Sequence, residues 1–176
     1  VMGAGRQRFD HHTRHRHLAG RTWSNIDFKA VADAAARSSY TGNRYAARGG
    51  GAYVDGGLVE DNEIRSNTVA HAAGFYARGG GVYGVNSVVR DNLLQGNDAR
   101  IGGGVAVENS TVWGNTIAEN SAGLDAGGLY WGSSSLDLRH NTIISNTTPG
   151  ATGGILLQSG YPALQFNAIH TNSSTY

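Results

Sequence analysis

Gly79-Gly80-Gly81-Val82-Tyr83-Gly84-Val85-Asn86-Ser87-Val88-Val89-Arg90-Asp91-Asn92-Leu93-Leu94-Gln95-Gly96-Asn97 decides the fold. A glycine cluster opens this stretch. An apolar residue follows at once, and a valine stands three residues before an asparagine. The stretch closes on Asn-x-Leu-x-x-Asn. The closing motif recurs at Asn62–Asn67, Asn92–Asn97, Asn115–Asn120, Asn141–Asn146 and Asn167–Asn172, with steps of 30, 23, 26 and 26 between first asparagines. Each copy is preceded by glycines: Gly49 to Gly51, Gly79 to Gly81, Gly102 to Gly104, Gly127-Gly128 and Gly153-Gly154. From the last glycine to the first asparagine is 11, 11, 11, 13 and 13 residues. Two marks holding near-fixed phase through five copies are the signature of a solenoid.

Equivalent positions form apolar columns. Ala52, Val82, Val105, Leu129 and Ile155 follow the glycines. Val59, Val89, Val112, Leu138 and Leu164 precede the asparagines by three. Ile64, Leu94, Ile117, Ile143 and Ile169 follow the first asparagine by two. In a coil of three short strands each column becomes an inward stack at the interstrand spacing of about 4.8 Å. One coil cannot bury its own face, so neighbours are required. The asparagines suit the bends, because Asn tolerates left-handed backbone and bonds its own main chain, and stacked amides also bond from coil to coil. A leucine-rich repeat would need Leu-x-x-Leu-x-Leu, a propeller blade about 40 residues, and a helical solenoid a spacing of three and four; none of these patterns is present.

Composition agrees. Glycine reaches 27 of 176 residues, about twice the usual ~7%, and there are two prolines. Without cysteine, disulfides, thiolate metal sites and a cysteine nucleophile are excluded. Fourteen Lys+Arg against 13 Asp+Glu give a net charge of +1, so there is no general pull toward nucleic acid. No apolar run approaches the ~20 residues of a membrane-spanning helix, and no stretch reads as a signal peptide.

The five copies resemble the right-handed parallel β-helix repeats of the pectin-lyase-like superfamily over residues 49–173, with a rhythm similar to that of bacterial surface adhesins of this fold. The resemblance implies an all-β, single-stranded right-handed parallel β-helix. For the whole chain six or seven coils are expected. It leaves function open, since lyases, hydrolases, epimerases, adhesins and structural proteins share such repeats.

Residues 1–48 lack the repeat, and the chain divides at 48/49 into two segments of one continuous domain. Arg6, Phe9-Asp10-His11-His12-Thr13, His17-Leu18-Ala19, Thr22-Trp23-Ser24, Phe28-Lys29 and Ala36 to Gly42 fall in an order that resembles the SufB/SufD scaffolds of iron–sulfur cluster assembly, over residues 3–43. Gly20 stands where that family usually has proline. The resemblance implies a β-helical core, but the family's later cluster-related segment has no counterpart, and a chain without cysteine offers no thiolate to a nascent cluster. Two patterns in one chain are what a fused or designed sequence would show. Alternation of Ile26, Phe28 and Ala30 with Asn25, Asp27 and Lys29 reads as a half-buried strand; a short helix over Phe28 to Arg37 is the alternative.

Three groups carry candidate chemistry. His11, His15 and His17 share one strand face and are candidate ligands for a transition metal, against a solvated polar ladder; the arginines around them are a candidate basic patch, against a solvated strand face, which is the favoured reading. Glu60, Asp61 and Asp91, with Glu63 nearby and Arg90 beside them, are the catalytic candidates for polysaccharide cleavage, with Ca²⁺ as the cofactor of a lyase. Yet Asp61 and Asp91 hold the same repeat position, which points to turn chemistry. Tyr53, Tyr83 and Tyr130, with Trp131 after the last, form a column of rings suited to stacking on sugars, against cross-coil aromatic packing. The leading expectation is therefore a non-catalytic scaffold or binding module with polysaccharide as its partner. A pectin-lyase-type enzyme and an iron–sulfur assembly fragment are the alternatives. Open solenoid ends add self-association through strand edges. The adhesin-like rhythm implies a cell-surface or extracellular location, the SufB/SufD likeness a cytoplasmic one.

Overall fold

In the computed structural model the described residues are 48–69, 77–132, 137–160 and 163–175, together with the backbone of 22–24. They form a parallel β-helix whose strands fall into four sheets. The first sheet stacks Ala52–Asp55, Val82–Val85, Val105–Glu108, Leu129–Trp131 and Ile155–Leu157. The second stacks Thr22–Ser24, Leu58–Glu60, Val88–Arg90, Thr111–Trp113, Asp137–Arg139 and Ala163–Gln165. Glu63–Arg65, Leu93–Gln95, Thr116–Ala118, Thr142–Ile144 and Ala168–His170 make the third. Asp98–Ile101, Ser121–Asp125, Thr147–Thr148 and Ser173–Ser174 make the fourth. The coil thus has four short strands, where three were expected.

The count of coils is also corrected. The first sheet is five strands deep, so from Ala52 to Ile155 the chain takes four steps along the axis, and the solenoid makes about four turns rather than six or seven. Five motif copies bound four intervals. The further turns were expected from the first fifty residues, where the only described element is Thr22–Ser24, paired in parallel with Leu58–Glu60.

All three apolar columns stack in register: Val59 on Val89, Ile64 on Leu94, Ala52 on Val82. Val59, Val89, Val112, Leu138, Ile64, Leu94, Ile117 and Ile143 are fully buried. Their strands follow from β-branched residues alternating with polar ones, a pattern that keeps one face inside. The last described coil is different. Leu164 and Ile169 occupy the same columns, yet they are about half exposed, because among the described residues no coil packs beyond them.

Corners set the shape. One residue of left-handed backbone turns the chain at each: Asp61, Asp91, Gly114, His140 and Phe166 between the second and third sheets, and Ser66, Gly96, Glu119, Ser145 and Thr171 between the third and fourth. An asparagine follows that residue, buried in every coil but the last, where Asn167 and Asn172 are partly buried. Asn62, Asn92, Asn115, Asn141 and Asn167 form one inward ladder, and Asn67, Asn97, Asn120, Asn146 and Asn172 another. Asn is therefore the bonding residue of the corner, and its predecessor takes the left-handed turn expected of Asn. The glycine row Gly51, Gly81, Gly104 and Gly128 has a different cause. A Cβ on any of them would come within 2.5–2.8 Å of the next coil's carbonyl oxygen, so no side chain fits.

Candidate functional site

The tyrosine column lies on the outer side of the first sheet. Tyr53 pairs in register with Tyr83, and the two rings stack with centroids 5.5 Å apart. Tyr83 and Tyr130 join Ile101, Ala106 and Ala126 in a second apolar cluster, separate from the solenoid interior, and both are buried there. Arginines cover the rings: the Arg48 guanidinium lies 4.8 Å from the Tyr83 centroid, that of Arg78 4.9 Å from Tyr130. Tyr83 Oη donates to Glu108 Oε1 at 2.6 Å, and Arg78 Nη1 donates to the same oxygen at 3.0 Å. Tyr130 Oη bonds Gln158. Burial first, then the hydrogen bond to Glu108, pushes the Tyr83 phenol far above its ordinary value; burial pushes Tyr130 in the same direction. Trp131 points the other way, into the core, and is fully buried. Among these candidates only Tyr53 keeps appreciable exposure.

Glu60 and Arg90 meet, as their shared column implies. They face each other across adjacent strands of the second sheet and form a salt bridge. Asp61 and Asp91 sit beside them at the exposed corner, each in left-handed backbone with φ of 54°. The Asp91 carboxylate lies against Gly114, the next corner residue: a Cβ there would fall 2.2 Å from Asp91 Oδ1.

Sequence reasoning passed over Trp113. It stands one residue after Val112, as Arg90 stands after Val89, so the phase of the repeat alone places it in the outer column Glu60, Arg90, Trp113, Arg139, Gln165. Its indole is partly exposed, with the Arg90 guanidinium 5.1 Å from the ring centroid. Arg139 pairs with Asp137. On the adjoining corner His140 stacks on Phe166, centroids 5.1 Å apart, and Phe166 is 80% exposed. Glu108 was missed as well; it is the third residue after Val105, where other coils carry Asp55 and Val85.

His11, His15 and His17 lie outside the described residues, as do Ile26, Phe28 and Ala30 and most of the SufB/SufD-like stretch. Among the described residues no group of three His, Cys, Asp or Glu is placed to hold a metal ion, and no helix is long and apolar enough to cross a membrane. A shallow hollow of about 610 Å³ lies on the exposed face of the last coil, lined by Ile155, Leu157, Leu164 and Ile169 among others.

A search of curated proteins finds no match, and neither does a search of solved structures; nothing in the comparisons supports the SufB/SufD-like reading of residues 3–43. A family model does match, described as a right handed beta helix region and covering residues 37–175. With parallel strands in register through the described coils and that match over most of its length, the chain belongs to the right-handed β-helix family.

Proposed function

We propose that the chain is a non-catalytic β-helical module that recognises carbohydrate on its outer surface. The observation that carries the non-catalytic half is the position of the acids. Asp61 and Asp91 share their corner, and its left-handed backbone, with Gly114, His140 and Phe166, so the position serves the turn in every coil whatever its side chain. Glu60 is held by Arg90. The carbohydrate half is supported by two rings outside the core, a partly exposed Trp113 and a largely exposed Phe166.

The second reading is a polysaccharide-cleaving enzyme of the pectin-lyase type. What favours it is the meeting of Glu60 and Arg90 beside Asp61 on adjacent coils. One experiment separates the two. Protein shown to be folded by circular dichroism is incubated with pectate, alginate and neutral glycans, with and without Ca²⁺, while unsaturated product and new reducing ends are followed. In parallel, retardation in glycan-containing native gels is measured. The expected result is retardation by at least one glycan and flat product traces. A sustained rise in product, lost in Asp61→Asn and Asp91→Asn, would establish the enzyme; folded protein that no glycan retards would remove the binding module.

A further inference from the structure

We infer that the carbohydrate site is the axial strip centred on Trp113 and that it takes an uncharged glycan; this rests on the binding reading above and makes it specific. The columns that build the fold repeat one residue type. The second sheet's inner column is Val59, Val89, Val112, Leu138, and the corner ladders are all asparagine. The outer column of the same sheet is Glu60, Arg90, Trp113, Arg139 and Gln165, four different side chains over five positions in register. Packing does not dictate that series. Trp131 gains the full benefit of core burial, whereas Trp113 leaves its indole partly exposed.

Charge selects the ligand class. Arg90 is neutralised by Glu60 and Arg139 by Asp137, one pair on the coil side before the indole and one on the coil after it. An opposite-charge pair within reach of solvent presents donors and acceptors side by side, which suits neighbouring sugar hydroxyls, while the part of the indole that Arg90 leaves uncovered offers apolar surface to the pyranose C–H groups. Acids on the strip and its corner, Glu60, Asp61, Asp91 and Asp137, outnumber the arginines, Arg90 and Arg139. That balance repels a polyuronate and leaves a neutral polymer as the complementary partner. The strip runs along the solenoid axis at about 4.8 Å per coil. Phe166 lies two coils beyond Trp113 on the adjoining corner, so a chain laid along the axis meets both rings.

The test titrates the intact chain with laminarin, galactomannan, xylan, cello-oligosaccharides and polygalacturonate, following tryptophan fluorescence and gel retardation. At least one neutral probe is expected to bind and to change the fluorescence. Trp113→Gln should weaken that binding at least ten-fold and shrink the fluorescence change, since Trp131 is sealed in the core. Phe166→Ala, at a side chain 80% exposed, should keep its melting temperature and weaken binding several-fold, so the inference stays testable if Trp113→Gln fails to fold. Gln95→Ala, on the third sheet, should bind as the parent does. Binding of a neutral glycan that both ring variants retain would overturn the strip and leave the carbohydrate reading standing. Retention by polygalacturonate alone would overturn the uncharged class. No binding to any probe would overturn both readings.

Discussion

The asparagines inside the ladders, between two described coils, bond in two directions along the axis. Asn120 Oδ1 accepts from the Asn97 backbone N–H at 2.9 Å and from Asn97 Nδ2 at 3.0 Å. Its own Nδ2 donates to the Leu94 carbonyl at 3.0 Å and to Asn146 Oδ1 at 2.9 Å. Removing this amide strands several buried polar groups at once, each costing about 1–3 kcal/mol when left unpaired. Asn120→Ala should therefore lower stability by about 3 kcal/mol or more in urea unfolding. Asn172→Ala, at the partly buried last described rung with a described coil on one side only, should lose about 1 kcal/mol; equal losses would show that the ladder does not act as a chain of bonds. The asparagine columns were legible in the sequence because the same residue type recurs in fixed phase. The left-handed residue before each was not, because Asp61, Gly114, His140 and Phe166 share a backbone angle and no side-chain chemistry.

At the level of elements, the first sheet carries cores on both faces. Inside lie Val54, Val82 and Val107; outside lies the cluster of Tyr83, Ala106 and Tyr130. Alternation along the strand told that the tyrosines point outward but not that they are covered, since Ile101 and Ala126 belong to no repeating column. The fourth sheet was invisible for a related reason. Its strands run from two residues in Thr147–Thr148 to five in Ser121–Asp125, with a register shift between Ala122 and Asp125, so no constant phase marks them. The covered phenol has a measurable consequence. Below about pH 10, the ordinary phenol value, Tyr83 is protonated in both folded and unfolded chains and its interactions count in full. Above it the unfolded chain gives up the proton while the folded chain, whose phenol is raised, holds it. Stability should thus fall as pH rises beyond about 10. The urea midpoint of the parent chain should drop more steeply between pH 9 and 11 than that of Tyr83→Phe; parallel curves would mean that the phenol titrates as if exposed.

Across the whole molecule, stability is distributed like that of any one-dimensional array, in which each coil contacts only its neighbours. The columns make this testable with chemically identical substitutions. Leu138 and Leu164 pair in register on adjacent coils, as do Ile143 and Ile169. Leu138 and Ile143 are fully buried; Leu164 is 50% and Ile169 47% exposed. Leu138→Ala and Ile143→Ala remove side chains enclosed on both axial sides and should each cost about 2–5 kcal/mol. Leu164→Ala and Ile169→Ala give up contacts on one side only and should cost less than about 1.5 kcal/mol each, with most of the loss confined to the last coil. Hydrogen exchange should follow the same gradient, with amides of Thr116–Ala118 protected more strongly than those of Ala168–His170. Equal costs at the two ends of each pair would require the last coil to be covered in solution. A concentration-dependent midpoint would then identify a second copy as the cover, because only association makes stability depend on protein concentration.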